Sequence, residues 1–124
     1  MKSFILDAKK QETRLAEIEA ELEVYYDIIG TDIVEIPTRY IGGKAFDIIC
    51  DEEALLKEEK IPSAINPSGT MPLFGTLIFA HHNDEGEMIG LDEEDIKILM
   101  KHLRSMESEL TETPVMVMLL DEWR

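Results

Sequence analysis

The chain has 124 residues, 44% of them hydrophobic, which suits one domain with a true core and argues against wholesale disorder. Its 27 acidic residues against 12 Lys and Arg give a net charge of -15, so it lacks the basic stripe that phosphate backbones require and is repelled by anionic membranes. The lone cysteine, Cys50, excludes an internal disulfide and a thiolate zinc cluster.

The N-terminal MKSFILDAKK has too short an apolar stretch for a signal peptide, and nothing approaches a membrane span, so a cytoplasmic single domain over 1–124 is expected. Ser3 to Ala8 reads as a first strand. Leu15, Ile18, Leu22, Tyr25 and Ile29 then recur every three or four residues. That spacing fits one helix from about Lys9 to Ile29, or a strand over Thr13 to Ile18 followed by a short helix, Ala20 to Ile29. Gly30 closes the helix either way, because it can adopt the left-handed conformation without a Cβ clash. Asp32 to Ile36 is a strand halted by Pro37. Gly42-Gly43 is a tight hairpin turn leading into a strand over Ala45 to Cys50. Asp51 to Lys60 reads as one helical turn or a loop, and Ile61 to Pro72, with three prolines, should wander rather than pair.

The stretch from Met71 to Leu91 organises the rest. Thr76 to Ala80 is an apolar strand expected at the middle of the sheet, and Asn83-Asp84-Glu85-Gly86 turns the chain back. Asp92 is a fitting N-cap, and Glu93, Glu94 and Asp95 set negative charge on the positive end of a helix. Ile96, Leu99, Met100 and Leu103 form its apolar stripe, and its end is expected near Glu109. Val115 to Leu120 is a last strand without polar alternation, so both its faces should be covered. It could close the sheet of its own subunit or add to a partner's edge as a homodimer contact.

Several stretches follow one another in the order of a known family. Phe4-Ile5-Leu6-Asp7 opens, Glu17-Ile18 leads to a helix closing on Ile28-Ile29-Gly30, and Asp32 to Ile36 follows. Gly75-Thr76-Leu77-Ile78-Phe79 and Gly90-Leu91-Asp92-Glu93-Glu94-Asp95 complete the series. In these the chain resembles domain-of-unknown-function family 3846, small proteins of phages, plasmids and conjugative elements, over roughly Ser3 to Leu103. The tail from Ser105 to Arg124 lies beyond the resemblance. Where the family often carries an Asn-Arg pair, Asn66 is here followed by Pro67. The resemblance implies a strand before the short helix, favouring strand plus helix for Thr13 to Ile29. It also implies a mobile-element setting; it brings no catalytic residues.

His81-His82-Asn83-Asp84 is the most tempting chemical constellation. Adjacent strand residues point to opposite faces, so two neighbouring histidines rarely share one metal. A site would need His81 or His82 to meet Asp84, Cys50 or His102. Cys50 ends an apolar strand, where a cysteine behaves as a small buried hydrophobe. The acids lack the one-three-five spacing of a helix-loop-helix calcium site, and Gly42-Gly43-Lys44 lacks the spacing of a phosphate loop. The aromatic set is sparse, and Trp123 is either loose or an anchor in a neighbouring chain.

The expectation is an α+β domain: a mostly antiparallel sheet of about five or six strands with two helices packed on one face. It is expected to be non-catalytic and cofactor-free, an accessory or interaction protein binding a protein partner with a basic surface. The expected acidic interaction surface is Asp84, Glu85, Glu87, Asp92, Glu93, Glu94 and Asp95. One alternative is an acidic nucleic-acid mimic that inhibits a host defence or DNA-binding protein. Another is a small ligand- or metal-binding domain using His81, His82 and Asp84.

Overall fold

A computed structural model describes residues 1–57, 60–69, 72–107 and 113–122. In chain order these form β1 (Lys2–Asp7), β2 (Glu12–Glu17), α1 (Leu22–Ile29), β3 (Val34–Glu35), β4 (Thr38–Ile41), β5 (Lys44–Asp51), a 3₁₀ turn (Ala54–Leu56), β6 (Pro62–Ile65), β7 (Leu73–Phe74), β8 (Leu77–His82), β9 (Met88–Ile89), α2 (Glu93–Lys101), β10 (Leu103–Met106) and β11 (Val115–Leu119). The expected α+β class holds. Seven strands form one sheet in the order β2-β1-β8-β5-β3, with β4 added to β5 and β9 to β8, and every pair in it is antiparallel. β8 is central, as its unbroken apolar run requires: a strand buried on both faces needs no polar alternation.

Alternation divides the core in two. Phe4, Leu6, Phe46, Ile48, Leu77 and Phe79 point to one face, where they meet α2 through Leu99 and the second sheet through Ala64, Leu73 and Met118. Ile5, Ile49 and Ile78 point to the other, where Tyr25 and Ile29 of α1 cover them. The two helices therefore lie on opposite faces, which corrects the expectation of both on one. The reason is legible in β1, β5 and β8: each is apolar at successive positions, so each face needs its own cover.

Between β1 and α1 the chain forms a strand and then a short helix. Leu15 and Leu22 are largely exposed, so the helical spacing that ran through them does not mark one buried stripe. Gly30 caps α1 with φ 81°, and Gly42 and Gly43 turn the β4–β5 hairpin with φ 61° and 83°.

The second sheet runs β10-β11-β6-β7. Two expectations fail here. Ile61 to Pro72 does not simply wander: Pro62 opens β6, where its missing N–H costs little, and Ala64 and Ile65 pair in parallel with Met118 and Leu119. α2 ends at Lys101 rather than near Glu109, which lies outside the described residues, as does Trp123. Leu103 leaves the helical stripe to pair with Met118, because β11 is apolar on both faces and takes a strand on each edge. β11 thus lies within its own subunit's sheet, paired with β10 from Val115 to Met118 and with β6 at Met118 and Leu119. No described helix is long and apolar enough to cross a membrane.

Candidate functional site

β8 delivers His81 and His82 to opposite faces, as the pleat requires. His81 lies on the α2 side, stacked on its cross-strand neighbour Phe46 at 5.0 Å. Its Nε2 is 3.0 Å from Asp95 Oδ2, and Lys44 Nζ is 2.5 Å from Asp95 Oδ1. Both basic side chains thus bear on one buried carboxylate, with Lys44 the nearer.

Asp95 belongs to the start of α2. Its backbone N–H donates to Asp92 Oδ1 at 2.8 Å, and its Oδ2 accepts from the Asp92 N–H at 2.9 Å, a reciprocal capping box. Burial would raise its carboxyl, but Lys44, the Asp92 amide and His81 outweigh this and hold it down to about 2. Asp95 is only 1% exposed, so of the seven acids expected on an interaction surface it is the one that does not reach the exterior. The others, Asp84, Glu85, Glu87, Asp92, Glu93 and Glu94, are exposed.

His82 lies on the α1 side. Its Nδ1 is 2.6 Å from Asp47 Oδ2, and Thr38 Oγ1 donates to Asp47 Oδ1 at 2.9 Å. Asp47 is buried while the imidazole is half exposed. An oriented imidazole can shuttle protons in principle, yet it also needs a concave place for a reacting group. Here it stands half exposed at the end of the central strand β8. The histidines thus use Asp95 and Asp47, and neither is brought to Asp84. Among the described residues, no three His, Cys, Asp or Glu side chains converge on a common metal position.

The two remaining metal-ligand candidates are likewise committed. His102 places Nδ1 2.8 Å from the Ile98 carbonyl oxygen and packs its ring against Gly42. Cys50 is 2% exposed, and burial, with the Glu35 carboxylate beside it, pushes its thiol up to about 12. A thiol so disfavoured as thiolate is no nucleophile at neutral pH.

Sequence reasoning missed Asp47, Lys44 and the cluster at Asp51. At Asp51, Lys57 Nζ approaches Oδ2 to 2.5 Å, while Thr31 Oγ1 and the Glu53 N–H donate to Oδ1 at 3.0 and 2.9 Å. Burial opposes ionisation of Asp51, but these donors win and lower its carboxyl. The Asp92-x-x-Asp95 spacing was the available signal for the capping box; the cross-strand partners of Asp47 and Lys44 carried none.

The exposed acids gather by topology. β2 ends, β1 begins and β8 ends at one end of the sheet, where Leu91 N–H donates to the Lys2 carbonyl and Ile18 N–H to that of Met1. That end carries Glu17, Glu19, Glu21 and Glu23 from the β2–α1 stretch. It also carries Asp84 to Glu87 from the β8–β9 turn and Asp92 to Glu94 from the start of α2.

Comparison with curated proteins and with solved structures finds no match to this chain. The family model described as domain of unknown function (DUF3846) matches residues 1–104 of the 124-residue chain. The seven-stranded sheet, the Gly-Thr entry to β8 and the capped start of α2 all fall inside that match, and the chain belongs to this family.

Proposed function

We propose that this is a non-catalytic accessory protein of a phage, plasmid or conjugative element that works by binding a protein partner with a basic surface. The observation that carries this reading is the gathering of exposed carboxylates from 17–23 and 84–94 at one end of the sheet, on a chain of net charge -15. The nearby histidines support it from the other side, since each is already spent on a structural aspartate. Complementary charge speeds encounter and sets orientation, and its contribution fades with salt. The test is affinity purification from the natural host over a salt series. A partner with a basic surface, recovered at low salt and released as ionic strength rises, is the expected result; recovery only of acidic or neutral partners, indifferent to salt, contradicts it.

The same collected carboxylates favour a second reading, in which the protein imitates nucleic acid and occupies the basic groove of a host nuclease, restriction enzyme or repressor. The two separate on one addition: DNA displaces a mimic from its target, while a partner held outside its nucleic-acid groove stays bound.

A further inference from the structure

The end of the molecule away from the 84–94 turn holds two concavities that share a wall. Gly30, at the C-terminus of α1, and Lys57, after the 3₁₀ turn, line both. The first is a cleft of about 210 Å³ whose apolar walls are Ile29, Ala54, Ile61 and Phe74, with Thr76 among its polar lining. That is below the roughly 300 Å³ at which pockets for drug-sized ligands begin, so it fits an anchoring side chain better than a cofactor. The second is an open groove lined by Asp27, Asp32 and Glu53.

The turn between them presents Leu55 and Leu56 to solvent, 64% and 79% exposed, and Ile33 beside it is 37% exposed. Ile33 is held there by its carbonyl, which accepts the Glu52 N–H at 3.2 Å. Two adjacent leucines left in water on a short ordered turn are costly to solubility unless something covers them. Lys57 does not neutralise the groove, because its ammonium is engaged by Asp51 and by the Gly30 carbonyl at 3.2 Å. Among the described residues, the carboxylates of Asp27, Asp32 and Glu53 form no ion pair, and the carbonyl end of α1 adds partial negative charge. Lys9, on the far side of the cleft, is the opposing cation.

We propose that this face docks a cationic, amphipathic segment of a partner protein, an apolar side chain entering the Ile29–Phe74 cleft and a Lys or Arg lying along Asp27, Asp32 and Glu53. The charge decides the occupant. A second copy of this chain would bring another net charge of -15 to an already acidic face, whereas a basic segment matches both the leucines and the acids. The inference deepens the partner-binding reading by naming a surface distinct from the 84–94 end.

The test is a titration of the isotopically labelled chain with a synthetic peptide of repeated Leu-Lys-Lys-Leu, followed by amide chemical shifts, with light scattering alongside. The expected result is a 1:1 complex whose shifts centre on Asp27 to Ile33 and Glu52 to Lys57. Leu55→Ser with Leu56→Ser should weaken it about tenfold, since truncating a buried hot-spot side chain commonly costs more than 1 kcal/mol. These leucines are exposed, so the variant's unchanged remaining spectrum would report an intact fold. Shifts centred on 84–94 would overturn this surface while supporting the partner-binding reading, and no saturable binding at any site would count against both. Self-association through the leucines, lost in the double variant, would overturn the cationic occupant.

Discussion

Asp95 shows how little a side chain's formula says about its task. It counts toward the net charge of -15, yet it is buried between Lys44 and His81 and folds back onto Asp92 as a helix cap. Its carboxyl falls from the ordinary 3.8 to about 2 on folding, so it contributes stability that is present above pH 4 and lost as pH falls toward 2. The amount is about 2 kcal/mol, since each tenfold change in proton affinity is worth ~1.4 kcal/mol. Asp51 and Asp7 are also lowered and add to the same acid-side loss. Asp95→Asn should therefore destabilise the chain by about 2 kcal/mol at pH 7 and flatten the fall between pH 4 and pH 2, as read by urea unfolding at several pH values; an unchanged slope would remove Asp95 from this role. Tyr25 offers the opposite case. Its ring fills the core under α1, but among the described residues its buried hydroxyl has no hydrogen-bond partner. Tyr25→Phe should be neutral or stabilising by up to ~1 kcal/mol, whereas Tyr25→Ala should cost about 3–5 kcal/mol through the cavity it leaves. Cys50, at 2% exposure and with its thiol at about 12, should react with a disulfide reagent at pH 8 only as fast as the chain opens. Labelling within seconds in the folded state would refute that.

At the scale of elements, local signals and pairing compete. The β4–β5 hairpin, the capped start of α2 and the central β8 were legible because each carries its own chemistry: two glycines, an Asp-x-x-Asp box and an unbroken apolar run. β6 was not legible, since it is held by Met118 and Leu119 from far along the chain and begins on a proline. The end of α2 was hidden for the same reason, because Leu103 fits a helical stripe as well as it fits the strand that pairs with β11. Of the candidate site, the divergence of His81 and His82 followed from the pleat, while their partners Asp95 and Asp47 depended on which strands meet. Gly90 marks another such junction. A Cβ there would lie 2.6 Å from the Lys2 amide nitrogen and 3.1 Å from its carbonyl oxygen, with backbone on the receiving side. Gly90→Ala should push the chain at Gly90 off the Lys2 backbone of β1 and lower stability by about 1–3 kcal/mol in thermal or urea unfolding; an unaffected midpoint would mean that this junction gives way freely.

For the whole molecule, the family match stops at residue 104, but the second sheet does not. β11 lies between β10 and β6, and it buries Val115, Val117 and Met118. A chain cut after residue 104 should lose cooperative unfolding and bind a hydrophobic dye, because β6 keeps only the short β7 beside it and the face around Phe46 and Phe79 is uncovered. Around that two-sheet core the protein carries most of its carboxylates outward and pairs His81 and His82 with the buried Asp95 and Asp47. The measurement that bears most directly on this account compares two variants for recovery of the host partner. One carries Asp84→Asn, Glu85→Gln, Glu87→Gln, Glu93→Gln and Glu94→Gln, sparing the Asp92 cap; the other carries His81→Ala and His82→Ala. Loss of the partner with the first and its retention with the second is the predicted result, and retention with the first and loss with the second would contradict it.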